Sequence, residues 1–443
     1  MYVLYEVLLY LVLVPAIPYF LFTGMLRGKY LANVPERMGR FRGAADEHDL
    51  WIHAVSVGEA LAARPVVAEI LKQRPGTSIV FTTTTITGQA QARRLFPAAT
   101  VTYFPFDFAF AVRRFLDHHR PRVFATMETE IWPNVTRIAR ERGLRMLLAN
   151  GRISDRSFPR YRAFRGIVRS VLKKYDRILA REETDRERFV AIGAPREIVE
   201  VSGNVKFDYE PDPSPLEIAP RLASLIAGRK VLILGSTMEG EDEALLPELE
   251  RLLARRDSFV VIAPRKPERF ELVAAMLEAG GFAFVRRSAF DGSSVPRVLG
   301  SSGGEPESPA VSRGTEEPRN RPPDILLLDT LGELAKLYRY ATAAFIGGTL
   351  VPVGGHNPIE PAAAGVPVCF GPSMSNFREI AQVFLRDEAA AEVQSAAEVM
   401  DFAARMFDDA ERQRAWGARA RRAVLQNRGA SERTARRIVE LLT

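Results

Sequence analysis

The chain has 443 residues, 47% of them hydrophobic, long enough and apolar enough for two or more domains with substantial cores. Its 61 Lys and Arg against 54 Asp and Glu leave a net charge of +7, compatible with an anionic membrane surface, a phosphorylated substrate or nucleic acid; no arginine-rich or aromatic-interleaved run argues for nucleic acid in particular. A single cysteine, Cys369, excludes an intrachain disulfide framework and leaves no cysteine cluster for zinc.

Residues 2–25 are nearly all apolar, with tyrosines toward both ends, and Arg27, Lys29, Arg37, Arg40 and Arg42 follow. About 20 apolar residues suffice to span a bilayer, and the basic flank places the following domain on the cytoplasmic side. Glu6 and the lack of an early Lys or Arg argue against a secretory signal. Pro15 and Pro18 weaken a helix here, so an interfacial segment stands beside a span, and a buried N-terminal helix is the third reading.

From residue 50 short apolar runs alternate with amphipathic stretches. Strands are expected at about 50–54, 78–82, 100–103, 122–126, 144–149 and 177–180, then after the Pro-rich break at 210–215 at about 230–234, 259–263, 282–285, 325–328, 343–346 and 366–370. This alternation is the signature of parallel sheets covered by helices, an α/β class in which ligands bind beyond the carboxyl ends of the strands. Residues 289–323, rich in Ser, Gly, Pro and charges, read as a disordered insertion. The run from about 408 to 443 reads as a solvated amphipathic helix closing the fold.

Polar motifs gather at the expected strand ends. In the run from His53 to Glu59 the chain turns at Ser56 and Gly58 and presents Glu59 near a helix start, a candidate general base; Pro65 should kink or restart that helix. A hydroxyl-rich loop, Thr82 to Thr85 with Thr87 and Gly88, suits sugar or phosphate oxygens, and Thr87 is also a plausible helix cap. Glu128 and Glu130 stand together beside apolar Trp132 before a proline-started helix, where crowding and burial raise carboxyl pKa values.

The second half repeats the arrangement. Gly235, Ser236 and Thr237 follow one strand and Pro264, Arg265 and Lys266 the next, while Lys206 lies just before the break; these offer N–H, hydroxyl and cationic groups for a phosphate. Residues 345–372 hold two glycine pairs, Gly347-Gly348 and Gly354-Gly355, then His356, Asn357 and a short helix carrying Glu360. Glycine permits close approach of backbone to ligand, a helix start at Asn357 offers N–H groups to a phosphate, and Glu360 can accept from a ribose diol.

In this order the segments WIHAVSVGE, METEIWPN, NGRIS, GNVKFD, PRKPERF and GGTLVPVGGHNPIEP resemble the 3-deoxy-D-manno-octulosonic acid (Kdo) transferases over nearly the whole chain outside 289–323. The resemblance implies a GT-B glycosyltransferase fold: an anchor over 1–26, an acceptor-binding Rossmann-like domain over 27–209, a nucleotide-sugar-binding one over 210–425 and a terminal helix over 426–443. It implies CMP-Kdo as donor, lipid IVA, the lipid A precursor, as acceptor, and work at the cytoplasmic face of the inner membrane. Glu59 becomes the general base, assisted by Glu128 or Glu130. Gly235, Ser236, Thr237, Pro264, Arg265, Gly347, Gly348, Gly355, Asn357, Glu360 and Lys206 fall on the donor side, and Ser56, Gly58, Thr84 and Arg152 on the acceptor side. Met238 and Lys266 stand where the family pattern has histidines, so roles resting on those histidines do not carry over.

With no D-x-D motif and five histidines lacking ligand spacing, no metal and no other cofactor is expected. Two alternatives stay open: a GT-B transferase using another nucleotide sugar, and a noncatalytic membrane-anchored protein that binds sugar nucleotide or lipid.

Overall fold

A computed structural model of the chain describes residue 2 and residues 4–11, 33–41, 43–216, 219–291 and 323–443. The chain forms two compact units, one made of Met1–Asp208 with Asn427–Thr443 and the other of Tyr209–Gln426.

The first unit is built on a seven-stranded parallel sheet. Its strands are β1 (Leu50–His53), β2 (Ile79–Thr83), β3 (Thr100–Tyr103), β4 (Val123–Met127), β5 (Arg145–Gly151), β6 (Arg177–Ala180) and β7 (Val199–Val201), in the order β3-β2-β1-β4-β5-β6-β7. Alternation along β1 sends Trp51 to one face, with Phe115 and Phe124, and Leu50 and Ile52 to the other, with Phe81 and Ile70. Helices cover both faces, which is why every residue of β1, β2 and β4 is buried. β1 pairs with both β2 and β4, so the strand order reverses there. The crevice beyond the carboxyl ends of β1 and β4 is the place where this topology binds ligands.

The second unit repeats the plan with β8 (Lys230–Thr237), β9 (Ser258–Pro264), β10 (Phe284–Arg286), β11 (Ile325–Leu327), β12 (Ala343–Ile346), β13 (Val368–Phe370) and β14 (Ala390–Glu392), all parallel, in the order β10-β11-β9-β8-β12-β13-β14. Here the reversal falls at β8, between β9 and β12.

Several local expectations are corrected. β7 and β14, three-residue edge strands, went unforeseen, because runs so short show no period. Pro65 does not restart its helix, which runs on over Val57–Gln73. Its buried face, Ala63, Val66, Val67 and Ile70, holds it in place, while Leu61, whose carbonyl loses its partner to the proline ring, is exposed to water. The C-terminal run is not one solvated helix but two, Ala410–Gln426 and Ala430–Leu442, broken at Gly429 with φ +96°. The last helix buries Ala430, Ile438 and Leu442 in the core of the first unit, and the Asp208 carboxylate caps it, accepting from the Gly429 and Ser431 N–H groups at 2.6 Å each.

The expected insertion over 289–323 lies almost wholly outside the described residues, as does most of the expected anchor over 2–25. Residue 2 and residues 4–11 are helical. Tyr5 donates to Asp107 at 2.8 Å, and Glu6 accepts from the Ala109 N–H at 3.1 Å. Among the described residues no helix is long and apolar enough to cross a membrane.

Candidate active site

Ser56 starts the helix Val57–Gln73, and Glu59 sits one turn in. The Ser56 Oγ accepts from the Glu59 N–H at 3.5 Å, and the Glu59 carboxylate accepts from the Val55 N–H at 2.7 Å and from the Ser56 hydroxyl at 3.3 Å. Ser56 caps the helix, and the Glu59 carboxylate reaches back past it to the N–H of the preceding residue. The same carboxylate lines an open pocket of about 200 Å³ together with Glu128, Thr129, Glu130, Arg152, Ser154, Ser157 and Tyr161.

The three acids differ in charge state. Burial, with the Glu128 charge second, pushes the Glu59 carboxyl up to about 7. Burial likewise pushes Glu130 up to about 7, Trp132 opposing the shift and Glu128 adding to it. Burial would raise Glu128 too, but Arg181, Lys206 and Arg152 more than offset it and hold that carboxyl below its ordinary value. Arg181 donates to Glu128 Oε1 at 2.5 Å, and the Lys206 ammonium lies 3.6 Å from the same oxygen. Glu128 itself is left-handed, with φ +59°, at the end of β4. One fixed carboxylate thus stands beside two that change protonation near neutral pH, a pattern suited to proton transfer.

Around the acids, the Thr129 hydroxyl donates to the Arg152 carbonyl and accepts from the Arg152 N–H at 3.0 Å, tying the ends of β4 and β5 together. Thr84 follows β2, half-buried, and its N–H donates to Val55 O at 3.1 Å. The cap of the next helix is Thr85, accepting from Gly88 N–H at 3.0 Å, and not Thr87, which is exposed one residue inside the helix. Gly58 is exposed beside Glu59. Lys206 belongs to the first unit, against Glu128, and not to the strand ends of the second unit with the other donor-side candidates.

In the second unit the strand-end residues do come together, though not as a cradle of free N–H groups. β8 runs on through Gly235, Ser236 and Thr237, with a register shift and Ser236 left-handed at φ +59°. The Gly347 N–H donates to Gly235 O at 2.7 Å. Fully buried Glu241 takes those that follow: Gly348 at 2.6 Å, Thr349 at 2.8 Å and Leu350 at 2.9 Å, besides Met238 at 3.0 Å. The Gly347 and Gly348 N–H groups are thus both engaged inside the unit, one by the Gly235 carbonyl and the other by the Glu241 carboxylate. Glycine at 347 serves close packing, since a Cβ there would lie 2.3 Å from Ser236 O; at 235 it would lie 2.3 Å from the Tyr338 hydroxyl. The helix expected to start at Asn357 starts at Ile359, and the Asn357 side chain accepts from the Ile359 N–H at 3.1 Å and donates to Glu360 at 3.2 Å.

Pro264 ends β9, and exposed Arg265 follows it with its N–H bonded to Thr237 O at 2.9 Å. Its charge acts on both His356 and Glu360. Burial, with Arg265 second, holds the His356 imidazole down to about 4; burial raises the Glu360 carboxyl against Asn357 and Arg265. Gly355, left-handed at φ +79°, packs its N–H on Gly348 O at 2.7 Å. Met238 is buried beside Glu241, and Lys266 is exposed. Among the described residues no group of three His, Cys, Asp or Glu is placed to hold a metal ion.

Sequence reasoning missed Arg181, Ser154, Ser157, Tyr161 and Glu241. Arg181 directly follows the expected strand 177–180, so the strand-end rule applied at β1 and β4 would have found it. Glu241 carries no local signal beyond a helix start.

Two parallel-sheet α/β units, one with a carboxylate-lined pocket at its strand reversal, define a two-unit α/β protein with an acid-lined site. In fold the chain is similar to a glycosyltransferase from Rickettsia africae (TM-score 0.54, 12% identity, 90% of this chain and 98% of that one) and to a UDP-GlcNAc 2-epimerase from Neisseria meningitidis (TM-score 0.55, 12% identity, 89% and 99%). Residues 32–209 match the 3-deoxy-D-manno-octulosonic-acid transferase family. The chain is 34% identical over 420 residues to the 3-deoxy-D-manno-octulosonic acid transferase of Bordetella pertussis (92% of this chain, 91% of that one), and 32% identical over 421 residues to that of Haemophilus influenzae (93% and 92%). It belongs to the 3-deoxy-D-manno-octulosonic acid transferase family and is a glycosyltransferase.

Proposed function

We propose that the chain transfers Kdo from CMP-Kdo to the lipid A precursor lipid IVA in lipopolysaccharide biosynthesis, with inversion, and that Glu59 is the general base. The observation that carries this reading is the Glu59 carboxyl, lining the pocket and poised at about 7 beside ionised Glu128. In the reaction the acceptor hydroxyl oxygen attacks the anomeric carbon of Kdo, Glu59 takes the hydroxyl proton, and the bond to the CMP phosphate breaks with its electron pair leaving on CMP. Arg265, with His356, Asn357 and Glu360 beside it, is the donor-side group that meets the departing charge. Glu130, near neutral in its apolar setting by Trp132, assists on the acceptor side. Arg152 lines the pocket, and the stretch from 152 to 169 that it opens carries six arginines against one aspartate, a balance that suits an anionic acceptor.

Membership of the GT-B fold class, work at the cytoplasmic face of the inner membrane through the N-terminal segment, and independence from metal complete the proposal. The test is transfer from CMP-Kdo to lipid IVA by the full chain in membranes with EDTA present, comparing wild type and Glu59→Gln. Product from the wild type alone is expected. Equal turnover by the variant overturns the base, loss of wild-type product in EDTA overturns metal independence, and competition by UDP in place of CMP overturns the donor.

A further inference from the structure

Arg181 takes no part in the reading above, yet it is the most enclosed cation of the pocket region, its side chain only 3% exposed. Its guanidinium spans two strand ends. The Nη2–H donates to Glu128 Oε1 at 2.5 Å, the Nε–H donates to the Asn150 carbonyl at 3.2 Å, and its own N–H bonds to Gly151 O at 3.1 Å. Both residues it grips are left-handed without being glycine, Glu128 at φ +59° and Asn150 at φ +54°. Such conformations persist only where the surroundings over-determine them, and here the surroundings include the Arg181 fork.

We propose that Arg181 is a positioning residue for the transfer reaction: it locks Glu128, ionised and left-handed, at the wall of the pocket, so that Glu59 works beside a fixed negative charge instead of sharing a proton with its neighbour. The inference rests on the reading of Glu59 as base. The charged groups around the pair can be named from each side. Glu59 feels Glu128 and Glu130. Glu128 feels Arg181, Lys206 and Arg152. Arg181 in turn faces Lys206 and Asp185, the latter held by the Ile153 N–H at 2.8 Å. Two neighbouring carboxylates cannot both ionise freely, so the one gripped by cations keeps the charge and the other keeps the proton. Removing the grip turns them into a coupled pair whose first proton leaves earlier. Lys206, 3.6 Å from the same oxygen, adds a second positive charge, while the Arg181 fork also ties Glu128 to the Asn150 carbonyl.

The test is the pH profile of kcat/KM for the full chain with CMP-Kdo and lipid IVA, in wild type, Arg181→Met, Arg181→Lys and Glu128→Gln. A second readout is the ¹³C titration of glutamate carboxyls, with the Glu59 signal assigned by its loss in Glu59→Gln. The wild-type acid limb and the Glu59 signal are expected near pH 7. Both should fall by about one unit in Arg181→Met and in Glu128→Gln, the scale of a lost adjacent charge, and return toward the wild-type position in Arg181→Lys. An unmoved Glu59 signal in Glu128→Gln, or in a folded Arg181→Met, overturns the proposal. Should Arg181→Met fail to fold, the contrast between Glu128→Gln and Arg181→Lys decides: a shift in both overturns it. A fully active Glu59→Gln would remove the base reading, while the carboxyl titration would still report whether Arg181 sets that site.

Discussion

Glu59 and Glu241 hold matching places in the two units. Each sits near the start of the helix that follows the strand at which the sheet order reverses, β1 in one unit and β8 in the other. Their surroundings part there. Glu59 accepts from one backbone N–H and one hydroxyl, faces a pocket, and holds its proton up to about 7. Glu241 faces no solvent, and its two oxygens take the N–H groups of Met238, Gly348, Thr349 and Leu350. The same residue type at the same station is a reagent where its hydrogen-bonding capacity is left open and a scaffold where it is saturated. What decides is the loop brought against it: Val55 with the hydroxyl-rich segment in the first unit, the Gly347–Leu350 turn in the second.

That contrast can be broken in order of expected effect. Glu241→Ala should cost about 3 kcal/mol or more, because several buried N–H groups lose a charged acceptor together; a thermal unfolding midpoint barely changed would show that the turn does not depend on it. Glu59→Gln should lower turnover at least ~100-fold, the scale of a lost general base. Its amide oxygen can still accept from Val55, so stability should move by less than about 1 kcal/mol, and a large fall in the unfolding midpoint would turn Glu59 into a second scaffold. Arg265→Ala should raise the donor KM about tenfold, the worth of one charge-assisted bond, and leave the unfolding midpoint in place because the side chain is exposed.

The smallest effect is on the pH dependence of stability. Folded Glu59 and Glu130 keep protons up to about 7, whereas the unfolded chain loses them near the ordinary carboxyl value of 4.5. Between those values the folded state binds more protons, so this contribution to stability is fully present below about 4.5 and is lost as pH rises through about 7. Urea unfolding at pH 5 and pH 8 should therefore show a smaller fall toward pH 8 in the Glu59→Gln, Glu130→Gln double variant than in the wild type; parallel falls would place both carboxyls at their ordinary values.

Much of this arrangement could be read along the chain. Apolar runs spaced by amphipathic stretches gave every strand except the short edges β7 and β14, and the strand-end rule led to Glu59, Glu128, Glu130, Arg265 and Glu360. Reading failed where a residue's partner lies far away. Glu241 is 107 residues from Gly348, and Lys206 is 78 residues from Glu128, the partner beside which it sits. Nothing in residues 345–372 reveals that a carboxylate from another helix takes the N–H groups of Gly348, Thr349 and Leu350.

The sequence by itself determined the class of fold, the family and which acids stand at strand ends, because periodicity, turns and motif order are local properties. Only the tertiary structure decided which of those acids is free to exchange a proton. Charge state depends on burial and on cations and N–H donors delivered by other strands, and those are set by how the chain packs, not by what stands next to what in it.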